Sequence, residues 1–287
     1  MNPQDVEMVG VAGAGIMGSG IIEVCAKAGV EVVYVEVDDE RKERGRRAIE
    51  RSLAKAVERG KMDGAARDQV LGRITGSTDL ADLADADVVI EAVIEDADEK
   101  LDLFRKLDGL VRPEVMLASN TSSIPIIDLA SATKRPDRVL GMHFFNPPPV
   151  MKLLEVVRSI TTSDQSVAFA RGLGERLGKT TVLSKDRAGF IVNWLLIPYL
   201  NSAVRMYDEG FASREDIDNA VVLGLSHPMG PLTLLDFIGL DTALHVSNVL
   251  YEEFADPLYA APTLLKRMVT AGFLGRKSGK GFYEYPE

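Results

Sequence analysis

The sequence predicts an α/β protein in two parts, a mostly parallel sheet with covering helices and then an all-helical C-terminal domain. Three observations carry that expectation. Apolar, β-branched runs alternate with helical segments through the first two thirds of the 287 residues. A glycine-rich turn joins the first of these runs to the first helix. From Phe190 onward only helical periodicity is left. The junction falls at residues 186–188, which gives domains of 1–187 and 188–287.

The opening strand, turn and helix lie in residues 6–20, VEMVGVAGAGIMGSG. Gly13, Gly15 and Gly18 make G-x-G-x-x-G: the first glycine permits a tight turn, the second a close backbone approach to a pyrophosphate, the third close packing of helix on strand. The free N–H groups at the start of that helix would face phosphates. A helix over 16–28 leads to a second strand over 30–37, near whose end stands Glu36. That is close to the roughly 20-residue spacing at which an acid meets the adenosine ribose. A carboxylate there accepts from ribose hydroxyls and repels a 2′-phosphate, which favours NAD over NADP. Together these features predict a Rossmann-like domain.

Residues 38–61 follow with helical periodicity and an unusual charge. Positions 41–61 hold nine basic residues against three acidic ones, in a chain whose formal net charge is −10. Arg44, Arg47, Arg51, Lys55 and Arg59 recur at threes and fours, so they share one helix face. A solvated surface helix and a site for a polyanionic substrate group both fit this stripe. A helix over 64–71 then leads to a strand near Ile74. Residues 87–93, DVVIEAV, read as a buried strand. Residues 97–110 read as a helix with Leu101, Phe104 and Leu107 inward. Strands over 115–118, 139–143 and 153–157 and a helix over 166–177 complete this part. Helices are expected over 190–209, 213–222, 231–254 and 262–271, with Ser213 capping the second. The stretch GERLGKT at 174–180 lacks the first glycine of a phosphate-binding P-loop, because Leu173 stands there. It also ends a helix instead of following a strand, so ATP binding is not expected.

The bulk numbers exclude other classes. An acidic chain is a poor main partner for nucleic acid. The one cysteine, Cys25, falls in a helix and forms no internal disulfide, which fits a core residue and a reducing compartment. The apolar stretch at 191–200 is broken by Asn193 and Pro198, and the short acidic start MNPQDVE does not read as a signal peptide. A cytoplasmic protein is expected, with no metal site.

Ligands of open parallel sheets bind beyond the carboxyl ends of the strands. Three polar clusters are expected there: the glycine turn, Ser119–Asn120, and His143 to Asn146. His143 is the one histidine of three placed in that crevice, His227 lying in a turn and His245 in a helix. An enzyme that removes hydride from an alcohol needs a base for the hydroxyl proton, and His143 suits that role. Glu155, on the following strand, is a candidate for holding its tautomer. Ser119 is a candidate for hydrogen bonding the reacting oxygen, and so is Asn193, which interrupts an apolar helix at the domain junction, where a polar residue on a buried face costs stability unless paired.

These stretches carry a family resemblance. GAGIMGSG, ASNTSS at 118–123, HFFNP at 143–147 with PVMKLLEV after it, GFIVN at 189–193, HPMGP at 227–231 and GRKSGKGFYEY at 275–285 resemble the 3-hydroxyacyl-CoA dehydrogenase family, nearest its stand-alone 3-hydroxybutyryl-CoA dehydrogenase branch. The resemblance spans essentially the whole chain, in the family's order. It implies His143 as base and Glu155 as its partner, with Ser119 and Asn193 on the substrate's 3-oxygen. It implies NAD contacts from the loop Gly13, Ala14, Gly15, Ile16, Met17 and Gly18, and from Glu36, Glu95, Lys100, Ser119, Asn146 and Lys277. It implies CoA contacts from Ser52, Lys55 and Arg59, and a homodimer through the helical domain. Three positions depart from the family: Glu36 for the commoner Asp, Arg59 for Lys, and Trp194 where relatives often have Arg. The implied reaction is NAD-dependent oxidation of (S)-3-hydroxyacyl-CoA and its reverse. A dehydrogenase of free 3-hydroxy acids, with the basic stripe mere surface, and a non-catalytic dinucleotide-binding protein remain the alternatives.

Overall fold

The computed structural model describes residues 2–285. It divides after Asp186 into two compact units.

The first unit is an eight-stranded sheet. Strand β1 (Met8–Ala12) enters the glycine turn, and helix α1 (Ile16–Lys27) leaves it. β2 (Glu31–Val35), α2 (Asp39–Glu58), α3 (Gly64–Gly72), β3 (Ile74–Ser77), β4 (Val88–Glu91), α4 (Ala97–Leu110) and β5 (Met116–Ser119) follow. A short helix α5 (Ile126–Ser131), β6 (Val139–Phe144), β7 (Leu153–Arg158), α6 (Asp164–Arg176) and β8 (Thr180–Lys185) complete the unit. The spatial order is β3-β2-β1-β4-β5-β6-β7-β8. The first six strands run parallel, β7 is antiparallel to β6, and β8 is parallel to β7. β4 and β6 are buried along their whole length, as strands covered on both faces must be. The core joins Val9, Val11, Ile21, Ile22, Val32, Ile90, Leu140 and Phe144. Cys25 sits in it, and burial pushes its thiol up to about 12, so it is an inert core residue.

The second unit is mostly helical: α7 (Val192–Asp208), α8 (Arg214–Gly224), α9 (Pro231–Ile238), α10 (Leu240–Phe254) and α11 (Thr263–Thr270). Leu200, Val204, Leu232, Leu235, Leu240 and Leu265 form its main core. Ser213 accepts from the Asp216 N–H at 3.1 Å and caps α8 as expected.

Several expectations need correcting. The single helix over 231–254 is two, because Gly239 takes φ +101° between them and its Cβ-free backbone ends one helix and starts the next. The last part is not helices alone: residues 275–285 form two short antiparallel bridges, Gly275–Lys280 and Lys280–Glu284. Asp236 anchors them, accepting from the N–H groups of Phe282 and Tyr283 at 2.9 and 2.8 Å. β8 and α5 carried too little periodicity to be expected. On α4 the inward residues are Lys100, Phe104 and Leu107, not Leu101.

Helix α2 lies tight against the glycine turn. A Cβ on Gly45 would stand 2.6 Å from Ala14 Cβ and 2.9 Å from Ala14 O. This explains a glycine inside a 20-residue helix. Gly45→Ala gains about 1 kcal/mol of helix propensity, but overpacking costs about 1–3 kcal/mol. The variant should therefore melt below the wild type in a thermal scan by circular dichroism. A melting temperature equal to or above wild type would mean that α2 does not rest on the turn.

Candidate active site

The carboxyl ends of β1, β4, β5 and β6 lie side by side, since these strands are neighbours and parallel. The glycine turn, Glu91, Ser119–Asn120 and His143 therefore share one edge of the sheet.

At the turn, Gly13 takes φ +93°, and its N–H donates to Val35 O at 2.9 Å. A Cβ on Gly18 would stand 2.0 Å from Gly13 O, whereas one on Gly15 would meet nothing within 4 Å. Gly18 is thus bare because the chain comes close, whereas Gly15 leaves open space over the turn that a pyrophosphate would fit. No side chain caps α1, whose first residue, Ile16, is 79% exposed. A helix start that is open, uncapped and of 12 residues suits a pyrophosphate. Glu36 Oε1 accepts from the Ala14 N–H at 2.6 Å, so the acid at the end of the second strand also braces the turn. These features fit NAD.

The His143–Glu155 pair follows from topology. β7 returns antiparallel to β6 and sets Glu155 directly opposite His143. His143 Nδ1 and Glu155 Oε2 stand 2.7 Å apart, with both residues buried. A carboxylate there fixes the proton on Nδ1 and leaves Nε2 the basic nitrogen. The ring also lies 4.7 Å from that of Phe145. Asn120 Oδ1 accepts from the Phe144 N–H at 2.9 Å, tying the end of β6 to the loop after β5.

Between turn and histidine lies a buried charge cluster. Glu91 and Lys100 are 0% and 1% exposed, with Lys100 Nζ 2.7 Å from Glu91 Oε1 and 3.0 Å from Glu95 Oε2. Val93 N–H donates to Glu91 Oε1 at 2.7 Å, and Ser119 Oγ lies 2.5 Å from Glu91 Oε2. Glu95 Oε1 accepts from Thr121 Oγ1 at 2.5 Å, and from Ser122 N–H and Ser123 Oγ at 2.9 Å. Burial raises the Glu91 carboxyl above the usual range, outweighing Lys100. Burial also acts to raise Glu95, but Lys100 and the hydrogen bonds from Thr121 and Ser122 prevail and bring it down to about 2. Ser119 has no solvent exposure, so a ligand reaches its hydroxyl only after the groups covering it part.

Of the other expected residues, Asn146 is exposed in the loop after β6, next to a cis Asn146–Pro147 bond. Arg44, Arg47, Arg51, Lys55 and Arg59 are all exposed, and none forms an ion pair among the described residues; Ser52 is half-buried beside them. In the second unit, Asn193 is half-buried in the first turn of α7, not on a buried face. Trp194 packs on Phe254 at 4.6 Å and Tyr259 at 6.1 Å, with the Arg187 guanidinium 5.1 Å over its ring. Lys277 pairs with Asp241 at 2.6 Å.

Comparison with known proteins decides the family. Residues 8–187 match the 3-hydroxyacyl-CoA dehydrogenase NAD binding domain, and residues 189–285 match that family's C-terminal domain. The chain belongs to the 3-hydroxyacyl-CoA dehydrogenase family. A 3-hydroxybutyryl-CoA dehydrogenase of Mycobacterium tuberculosis is 53% identical, covering 98% of this chain and 99% of its own. The crystal structure of M. tuberculosis FadB2 superposes with a TM-score of 0.96 at 53% identity, over 98% of this chain and 99% of that one. That of (S)-3-hydroxybutyryl-CoA dehydrogenase PaaH1 from Ralstonia eutropha gives 0.94 at 46%, over 99% and 100%. Among the described residues no helix is long and apolar enough to cross a membrane, and no cluster could hold a metal ion.

Two site residues of this family member escaped the sequence reading. Glu91 was legible as an acid inside an apolar strand, which burial forbids without partners. Lys179, in the rejected GERLGKT stretch, is buried and donates to the carbonyls of Pro148 and Met151, clamping the loop that carries Asn146.

The depressed Glu95 carboxyl has a consequence for acid stability. A group whose folded value lies below its unfolded one stabilises above the unfolded value and loses that contribution as pH falls through the folded one. Glu95→Gln should therefore lower urea stability most above about pH 4.5, with the gap to wild type closing toward about pH 2. A gap independent of pH would deny the ion pair its role.

Proposed function

We propose that the chain interconverts (S)-3-hydroxyacyl-CoA and 3-oxoacyl-CoA with NAD, acting on short chains such as 3-hydroxybutyryl-CoA and acetoacetyl-CoA. The observation that carries this reading is the buried His143–Glu155 pair at the same sheet edge as the glycine turn. NAD, when bound, supplies the acceptor for the hydride leaving C3. The turn from Gly13 to Gly18, with Glu36, Glu95, Lys100 and Asn146, and Lys277 from the second unit, would hold it.

His143 Nε2 takes the hydroxyl proton as C3 gives up its hydrogen with both electrons, and the C–O bond becomes a carbonyl. Glu155 stabilises the imidazolium so formed. Ser119 and Asn193 hold the oxygen in both states. In reverse, the imidazolium returns its proton to the oxygen of the 3-oxo group. Ser52, Lys55 and Arg59 contact CoA, and the exposed stripe of α2 favours a polyanionic substrate over a free acid. The helical part, residues 188–287, carries the homodimer contact, and the protein works in the cytoplasm.

Two measurements test this. His143→Ala should lower kcat/KM for acetoacetyl-CoA with NADH by roughly 10²- to 10⁴-fold while NADH binding by fluorescence is kept; wild-type turnover would end the role of His143. Replacing Arg51, Lys55 and Arg59 together by Ala should raise KM for acetoacetyl-CoA by roughly tenfold or more with NADH affinity unchanged. An unchanged KM would point to free 3-hydroxy acids instead.

A further inference from the structure

We propose that Glu91 is a positioning residue: by taking or giving the proton it shares with Ser119, it decides whether Ser119 accepts from the substrate's 3-oxygen or donates to it. The inference rests on the reading above and deepens it.

A serine hydroxyl has one proton and two lone pairs. Here one lone pair accepts from the Thr121 N–H at 3.1 Å. The proton lies on the 2.5 Å line to Glu91 Oε2 if that carboxylate is ionised. What then remains on Ser119 is a single acceptor. A 3-oxo oxygen also only accepts, so the two repel. The substrate hydroxyl has one proton, and His143 needs it. An acceptor Ser119 therefore opposes the ketone and competes with the base for the alcohol.

A protonated Glu91 reverses this. Its own O–H donates to Ser119 Oγ, which then holds two incoming bonds and turns its proton to the reacting oxygen. The other carboxyl oxygen cannot carry that proton. Oε1 already faces two donors, the Lys100 ammonium and the Val93 N–H. The proton, when present, is thus confined to the Ser119 side. The charged groups around Glu91 are Lys100, from α4, and Glu95, which reaches it through Lys100; from β5 and the loop after it come the neutral Ser119 and Thr121, and its β1 neighbour is Ala12. Burial of Glu91 favours the protonated form.

Glu91→Gln imitates that form permanently. The amide oxygen must stay toward Lys100 and the Val93 N–H, which only donate, so the amide N–H₂ donates to Ser119. The test is acetoacetyl-CoA affinity across pH, by calorimetry on the NAD⁺-loaded protein, a pair that cannot react. Every other group is common to both proteins, so the comparison between them is what counts. Wild-type affinity should fall by roughly twofold to tenfold relative to Glu91→Gln as pH rises, and the two should converge at low pH. In a Ser119→Ala background Glu91→Gln should change nothing. Parallel curves for wild type and Glu91→Gln, with binding intact, overturn this inference alone. Failure of the wild type both to bind and to reduce acetoacetyl-CoA overturns the substrate reading and this inference with it. Should Glu91→Gln not fold, Ser119→Ala becomes the reference: wild-type affinity must fall relative to it as pH rises, and parallel curves overturn the proposal.

Discussion

A carboxylate lies in the middle of this sheet, and the site is built around neutralising it. Glu91 ends β4, the strand next to β1, where water does not reach. An isolated charge there would cost several kcal/mol. Lys100 partly offsets it from the start of α4, with Nζ 2.7 Å from Glu91 Oε1, which is why the buried face of that helix carries Lys100 and not the adjacent Leu101. The same ammonium holds Glu95, and Glu95 in turn gathers Thr121, Ser122 and Ser123. One buried acid thereby fixes the loops after both β4 and β5. Replacing the pair by apolar residues need not cost stability, but it would take from Ser119 the carboxyl partner of its hydroxyl and from Glu95 its ammonium.

The reversal of direction at β7 matters as much as the parallel strands before it. Parallel neighbours bring strand ends together but do not set two side chains face to face across a short connection. An antiparallel return does, with the register His143 opposite Glu155. The loop that makes this return, 145–152, is long and carries Asn146. It is held from beneath by Gly20, whose missing Cβ leaves room for Pro148, and by Lys179 from the start of β8. Burial lowers the Lys179 ammonium, so its two carbonyl partners are what keep a lysine there tolerable.

Much of this was legible from the chain because its signals are local. A glycine turn with strand before and helix after, an acid at the next strand's end, and a histidine at a strand's end each sit within a few residues of what they define. The Glu155 partnership was also readable, since consecutive strands tend to be neighbours. Less legible were features set by distant contacts. The break at Gly239 lies against a distant stretch of chain: the Leu240 N–H donates to Leu274 O at 3.4 Å, and a Cβ on Gly239 would stand 3.1 Å from Lys277 Nζ. β8 has a mixed pattern because it is the sheet's edge, with Thr180, Leu183 and Lys185 outward. Asn193 looked like a polar residue on a buried face; the asparagine with that predicament is Asn201, buried in α7 and held by Ser247 and the Tyr259 carbonyl.

The charge distribution makes a last point about how such a chain handles an anionic ligand. A net charge of −10 repels anions at a distance. Within about a Debye length, roughly 8 Å in physiological salt, what counts is the local balance, and the exposed face of α2 is strongly positive. That face is anchored to the cofactor turn by the contact of Gly45 with Ala14. On the proposed reading, a substrate phosphate on α2 and a pyrophosphate at the start of α1 would both be referenced to one corner of the sheet. On that reading, charge on α2 would contribute to orientation as well as affinity, by fixing one end of a long substrate relative to His143 at the other.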